Sequence, residues 1–371
     1  MIWKLHISFL LSFFGMLPQL MAQEAVSLFT PGYTISAKYH IGFILSHREN
    51  MNHLVRDRVK GFDLNLDKQT SGEQGWHGSF NRPSPGIGLL HLDLGNPEQL
   101  GTGTALYGYL DLPLIKRDKF VWYYRCGTGI GLISKPFDRT DNYKNTAIGS
   151  KVNMFASVLI EARLKIAKRS WIKSGFSFSH FSNAAVAVPN LGINIPGIYI
   201  GLHYQIGDYK IRLKKDTVVN TIRNSHFLVC AAPGIREVHP AGGKKYATGH
   251  IFIEGAKFVD NRRKLGLGLD VFYDDSNIEV HNRDTLRELI EKRSYFIKLG
   301  IHLSHELVFG RYSAVVQMGV YLLNNVKSDG PIYHRLTNRF YVNEKLFLAA
   351  GFKTHWAVAE NFEFGIGYRL K

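Results

Sequence analysis

Long stretches of this chain alternate apolar and polar residues one at a time, and that period restricts the fold more than any other feature. In Asn361–Lys371, Phe362, Phe364, Ile366, Tyr368 and Leu370 share one face, and Glu363, Gly365, Gly367 and Arg369 share the other. In Arg263–Tyr273, Leu265, Leu267, Leu269 and Val271 oppose Lys264, Gly266, Gly268 and Asp270. Val152–Ile166 repeats the pattern, with Met154, Ala156, Val158, Ile160, Ala162 and Leu164 opposite Asn153, Ser157, Glu161, Arg163 and Lys165. Successive side chains of a strand point to opposite faces, so each segment is a strand with one apolar and one polar face. Strands of about 11 to 15 residues exceed those of ordinary sandwiches. No run of the length a membrane helix needs, about 18 apolar residues, follows the N-terminal region. A closed barrel satisfies every backbone group in lipid without helices, so the pattern predicts an outer-membrane β-barrel, with a periplasmic β-sandwich as the alternative.

The N-terminus agrees with export. Met1–Lys4 is a short basic start, Ile7–Met21 is an apolar run, and Ala22-Gln23 follows. This reads as a signal peptide over residues 1–22, leaving 23–371 as a single barrel domain. The 371 residues carry 46 Lys+Arg against 30 Asp+Glu, a balance of +16. That excess suits an anionic partner, and export removes nucleic acid from the choice. At 20% charged residues, with 36 Gly, 24 Phe and 18 Tyr, the chain is no disordered tail. Two cysteines, Cys126 and Cys230, exclude a disulfide scaffold and a multi-cysteine zinc site, and are expected to be isolated thiols.

Fifteen segments between residues 33 and 371 read as strands. A single-chain barrel needs an even number. Either 331–341 adds a sixteenth or two N-terminal segments merge to give fourteen; the expectation is an all-β antiparallel barrel of about 14 strands, within 12–16. Short turns near 115–118, 167–170, 258–262 and 305–308 are assigned to the periplasm. Longer segments at 135–151, 184–195, 276–293 and 324–340 are assigned to the outside. Asp284–Lys292 reads as one short surface helix.

One segment carries chemistry. Ser177–Asn194 reads SFSHFSNAAVAVPNLGIN. Alternation places His180 and Ser182 on one face, about 7 Å apart along the strand. That face also holds Ile172, Phe176 and Phe178, so in a barrel the pair looks at lipid. A serine beside a base is the minimum for a nucleophile, and polar groups facing hydrocarbon are costly unless used there. The alternative is that they mark the headgroup boundary, where the apolar band ends.

His180-Phe-Ser182-Asn183-Ala184, followed by Pro189-Asn190-x-Gly192-Ile193, resembles the PagL-type lipid A 3-O-deacylases. The resemblance is strong over about 15 residues and weaker over 85–207, including Leu106-Tyr-Gly-Tyr-Leu-Asp-Leu-Pro113. It implies a lipid-facing triad with Ser182 as nucleophile and His180 as base. It also implies Asn190 as oxyanion donor supported by Asn183, with Gly192 in the same substrate-binding loop. The family's acidic triad member falls here on Asn194. Glu161 cannot replace it, because alternation puts it on the lumen face. The extra length resembles the longer acyloxyacyl hydrolase-like relatives, and the purpose of residues 208–371 beyond barrel wall is left open. The resemblance implies lipid A or lipopolysaccharide as substrate, outer-membrane lipids as surroundings, and no metal or organic cofactor. Against it stands a non-catalytic barrel that binds lipid or conducts a solute.

Other features read as structural. His302 and His305 sit at i, i+3, on opposite faces of a strand, which suits no shared metal. Gly127-Thr-Gly129-Ile-Gly131 and Gly101-Thr-Gly103 lack the strand-to-helix context of a phosphate loop and are expected to relieve crowding between strands. Basic pairs such as Lys116-Arg117 and Lys244-Lys245 read as solvated turns, available in sum to lipid phosphates.

Overall fold

A computed structural model describes residues 32–70, 74–117, 119–207, 225–285, 293–326, 330–356 and 358–370. The expected signal peptide over 1–22 lies outside the described residues. Sixteen antiparallel strands are present among them, and 332–341 is the extra strand that makes the number even. The first eight are β1 (Tyr33–Gly42), β2 (Val59–Lys68), β3 (Ser84–Asp93), β4 (Thr102–Lys116), β5 (Phe120–Ile133), β6 (Val152–Ala167), β7 (Ser170–Ser182) and β8 (Ile193–Gln205). The second eight are β9 (His226–Glu237), β10 (Lys245–Phe258), β11 (Arg263–Asp274), β12 (Ile297–Phe309), β13 (Tyr312–Leu323), β14 (Ile332–Tyr341), β15 (Leu346–His355) and β16 (Val358–Arg369).

The closure corrects the single barrel expected over 23–371. β8 turns back to pair with β1, and β16 pairs with β9, so the sheet closes twice into two eight-stranded barrels. The physical reason lies on the inward faces. Eight strands leave an interior just wide enough for side chains to fill. Here large charged residues fill it in matched sets. In the N-terminal barrel, Lys38 meets Asp63 at 2.9 Å, Arg125 meets Asp111 at 2.5 Å, and Glu161 is shared by Arg163, Lys173 and the Tyr199 hydroxyl. In the C-terminal barrel, Arg339 bridges Glu254 and Glu306, both at 3.0 Å, and Asp270 accepts from His250 and His302. Arg125, Lys173, Glu254 and Arg339 are all at most 1% exposed. The lumens are therefore packed polar cores.

The outward faces are apolar, as alternation predicted. Ile87, Leu106, Ile130, Phe176 and Ile200 are exposed on the first barrel, and Ile253, Leu267, Leu269, Met318 and Ile366 on the second. Strand glycines make room between layers: a Cβ on Gly131 would lie 2.6 Å from the Phe181 ring, and one on Gly129 would lie 2.5 Å from Tyr107 Cα. Cys126 and Cys230 are free, one in each barrel.

One expected boundary moves. β12 runs on to Phe309 through the turn expected at 305–308, because Glu306 turns inward to Lys264 and Arg339 while His305 stays outward, opposite Val316. The reversal falls instead at Gly310, whose φ of +70° suits glycine. Asp284 and Thr285, the start of the helix expected over Asp284–Lys292, belong to α2 (Asn277–Thr285), and 286–292 lie outside the described residues. Among the described residues no helix is long and apolar enough to cross a membrane.

The barrels touch at both rims. At one end Phe309 packs on Phe80, with ring centroids 4.4 Å apart, and Arg262 donates to the Ser79 carbonyl. Both first-barrel residues belong to or follow α1 (Gly75–Ser79). At the other end, where the long β5–β6 and β7–β8 loops lie, Arg139 Nε donates to the Ala241 carbonyl at 2.7 Å.

Candidate active site

β6, β7 and β8 build the site at the long-loop rim of the first barrel. In β7 the inward positions are Lys173, Gly175, Ser177, Ser179 and Phe181, so His180 and Ser182 point outward, as alternation required. Phe181 plugs the lumen against Phe155 and fixes this parity: a slip of one residue would drive its ring into lipid. Ala156 is the β6 partner of His180, a small neighbour that leaves the imidazole room.

Asn194 lies on β8, which starts at Ile193 and not at 196 as the pattern suggested. It is the direct cross-strand partner of His180. Directly opposed residues bring their side chains together, and Asn194 Oδ1 lies 2.6 Å from His180 Nδ1. The amide oxygen can only accept, so Nδ1 carries the proton and Nε2 is the basic nitrogen.

The β7–β8 loop, 183–192, folds back over the serine. Asn190 Oδ1 accepts from the Asn183 backbone amide at 3.0 Å, which leaves its Nδ2, 3.1 Å from Ser182 Oγ, as a donor to the hydroxyl. The Ala184 N–H also donates to Ser182 Oγ, at 3.2 Å. The Ser182 hydroxyl in turn donates to Asn190 Oδ1, 3.2 Å away. Ala184 and Ala185 hold positive φ of 49° and 61°, a costly backbone for alanine that this turn imposes.

Gly192 has φ +80°, and a Cβ there would lie 2.8 Å from His180 Cε1. Its N–H donates to the Ala147 carbonyl, pinning the loop to the β5–β6 loop. The Asn183 side chain donates to Ser150 Oγ at 2.8 Å and accepts from the Ala187 N–H, so it also ties loops together. The β5–β6 loop is itself clasped by Asp138, whose carboxylate accepts from Thr140 and Asp141; these bonds hold its pKa down at about 2.

Two neighbours carry no sequence signal for this site. His47, in the β1–β2 loop, has Nδ1 3.1 Å from Asn194 Nδ2. The second barrel also reaches the site: the Glu237 N–H donates to the Ala185 carbonyl and Lys245 Nζ to the Val186 carbonyl, both at 2.8 Å. Glu161 is buried in the lumen, as alternation required. His302 is a buried lumen residue between Asp270 and Glu254, and no cluster able to hold a metal occurs among the described residues.

Comparison with known families falls on the same two units. The family described as lipid A 3-O-deacylase (PagL) matches residues 60–203, which include His180, Ser182, Asn190 and Asn194. The family described as acyloxyacyl hydrolase, C-terminal domain, matches residues 223–371, the second barrel. The crystal structure of the outer membrane enzyme PagL is 18% identical, covering 45% of this chain and 97% of its own, with a TM-score of 0.29. Neisserial surface protein A is 8% identical, covering 47% and 97%, with a TM-score of 0.34. No curated protein matches. A PagL-type barrel with an apolar exterior is an outer-membrane protein, and the chain carries two such exteriors.

Proposed function

We propose that the chain is an outer-membrane esterase that removes an ester-linked acyl chain from lipid A, using Ser182 as nucleophile and His180 as base. The observation that carries this reading is the placement of His180 and Ser182 together on the lipid-facing side of β7, with His180 Nδ1 bonded to Asn194. Ser182 Oγ attacks the ester carbonyl carbon and its proton passes to His180 Nε2. The tetrahedral oxyanion is met by the amide donors that converge on Oγ, Asn190 Nδ2 and the Ala184 N–H. Collapse expels the sugar alkoxide, which takes the proton from His180. Water then cleaves the acyl-serine by the same route, releasing fatty acid. Every group needed is in the chain, so no metal enters the scheme.

Asn194 orients the imidazole but brings no negative charge, so the imidazolium is less stabilised than beside a carboxylate. The filled lumens argue against the alternative of a solute-conducting barrel. An alkyl fluorophosphonate tests the assignment: wild-type protein takes up one phosphonyl group on the peptide holding Ser182, and His180→Ala slows the labelling strongly. Labelling elsewhere, or none, contradicts it.

A further inference from the structure

An asparagine in the acid position creates a problem that a carboxylate does not have. A carboxylate offers an acceptor oxygen whichever way it turns. An amide has one acceptor and one donor face. With the NH2 turned toward His180, Nδ1 would have to accept, the proton would sit on Nε2, and the imidazole could not take a proton from Ser182. Removing the acid of a serine triad by an isosteric amide fails for this reason of tautomer. The site therefore needs something that fixes the Asn194 amide.

The structure supplies one candidate. Asn194 Nδ2 lies 3.1 Å from His47 Nδ1, on the side away from His180. The backbone beneath is fixed by the Leu45 N–H, which donates to the Asn194 carbonyl at 2.8 Å. The turn is held by Ser46 Oγ, which bonds to the Arg48 carbonyl at 3.0 Å and to Asn52 Oδ1 at 2.5 Å. His47 Nδ1 also lies 3.4 Å from the Leu45 carbonyl, a longer contact that the Asn194 bond outranks. Neutral His47 protonated on Nε2 presents an Nδ1 lone pair to the amide NH2.

We propose that His47 is a positioning residue: it accepts from Asn194 Nδ2, turns Asn194 Oδ1 to His180, and so holds His180 in the Nδ1–H form that is basic at Nε2. The inference rests on the Ser182–His180 reading. It links His47, Asn194 and His180 in one chain of hydrogen bonds, in which two neutral groups do the orienting work of one acid.

The test is a double-mutant cycle on the full chain, with purified lipopolysaccharide as substrate and fatty-acid release as readout. His47→Ala lowers kcat about tenfold, the worth of one well-placed hydrogen bond, with KM within about twofold. Asn194→Asp removes the wrong face, so in that background His47→Ala changes kcat by less than about twofold. Equal losses in both backgrounds, no loss in either, or a loss confined to KM would overturn the role. Histidine ring ¹⁵N NMR gives a second reading that needs no turnover. His180 is Nδ1–H in the wild type and becomes a tautomer mixture in His47→Ala; an unchanged tautomer overturns the proposal. Absence of any Ser182-dependent release would instead overturn the parent reading, and the tautomer measurement still decides the role of His47.

Discussion

His180 and Asn194 face each other across β7 and β8 as direct ladder partners, with 2.6 Å between Nδ1 and Oδ1. The pair sits on the outer face of a barrel whose inner face is closed by Phe181 and Phe155. His180 and Ser182 are thus mounted on a strand and turned outward, while the long loops close over them from the rim. Strand mounting fixes geometry better than a loop does, and catalysis is sensitive to displacements of about an ångström.

Gly192 tests how closely the loop must approach the base. Alanine there meets both the positive φ and the His180 ring, at 2.8 Å from Cε1. Gly192→Ala is expected to lower kcat/KM by roughly 10- to 100-fold through misplacement of the imidazole, and to cost about 1–2 kcal/mol in stability. Steady-state rates and thermal melting in micelles check both.

Lys245 tests the link between the barrels. Its Nζ bonds to the Val186 carbonyl, in the loop that carries Asn190. Lys245→Ala is expected to lower kcat/KM about fivefold, as one charged hydrogen bond to a loop is lost, while the melting temperature changes little. Lys245→Arg is expected to retain most of the activity. A rate unchanged by Lys245→Ala would show that the second barrel does not brace the loop.

Arg339 tests the packed lumen. It neutralises Glu254 and Glu306 at full burial. Removing one partner of a buried pair leaves charge without compensation, so Arg339→Leu is expected to destabilise the C-terminal barrel by roughly 3–5 kcal/mol. Urea unfolding in micelles, followed by the tryptophan and far-ultraviolet signals, reads this out.

Asp138 gives a pH expectation. Its carboxyl is lowered to about 2 by the Asp141 and Thr140 amides and the Thr140 hydroxyl. A lowered folded-state value means that the clasp is complete above the ordinary aspartate range and is lost as pH falls through 2. A ¹³C titration of the side chain is expected to place the midpoint near 2; a midpoint near 4 would show that the clasp does not form.

Alternation made the strands, their parity and the outward placement of Ser182 and His180 legible, because burial on one face enforces a period of two. The division into two barrels was not legible. Each strand looks alike locally, and closure depends on β8 finding β1 and β16 finding β9. The inward charges were a usable signal: Arg125, Lys173 and Arg339 find partners only in a narrow lumen. Asn194 was assigned to the 184–195 loop, yet β8 begins at Ile193. His47 escaped notice because it lies on another loop, 147 positions before Asn194, with nothing in its own surroundings to mark it.

Hydrolysis of a lipid A ester by Ser182 is tested most directly by removing its hydroxyl. Purified wild-type chain and Ser182→Ala, each shown to be folded by its resistance to unfolding in detergent at room temperature, are incubated with lipopolysaccharide. Lipid A is then weighed by mass spectrometry. The wild type is expected to lose one acyl chain with release of the matching free fatty acid, and Ser182→Ala to do so at least about 1,000-fold more slowly. Equal release by both proteins, or intact lipid A with both, would contradict it.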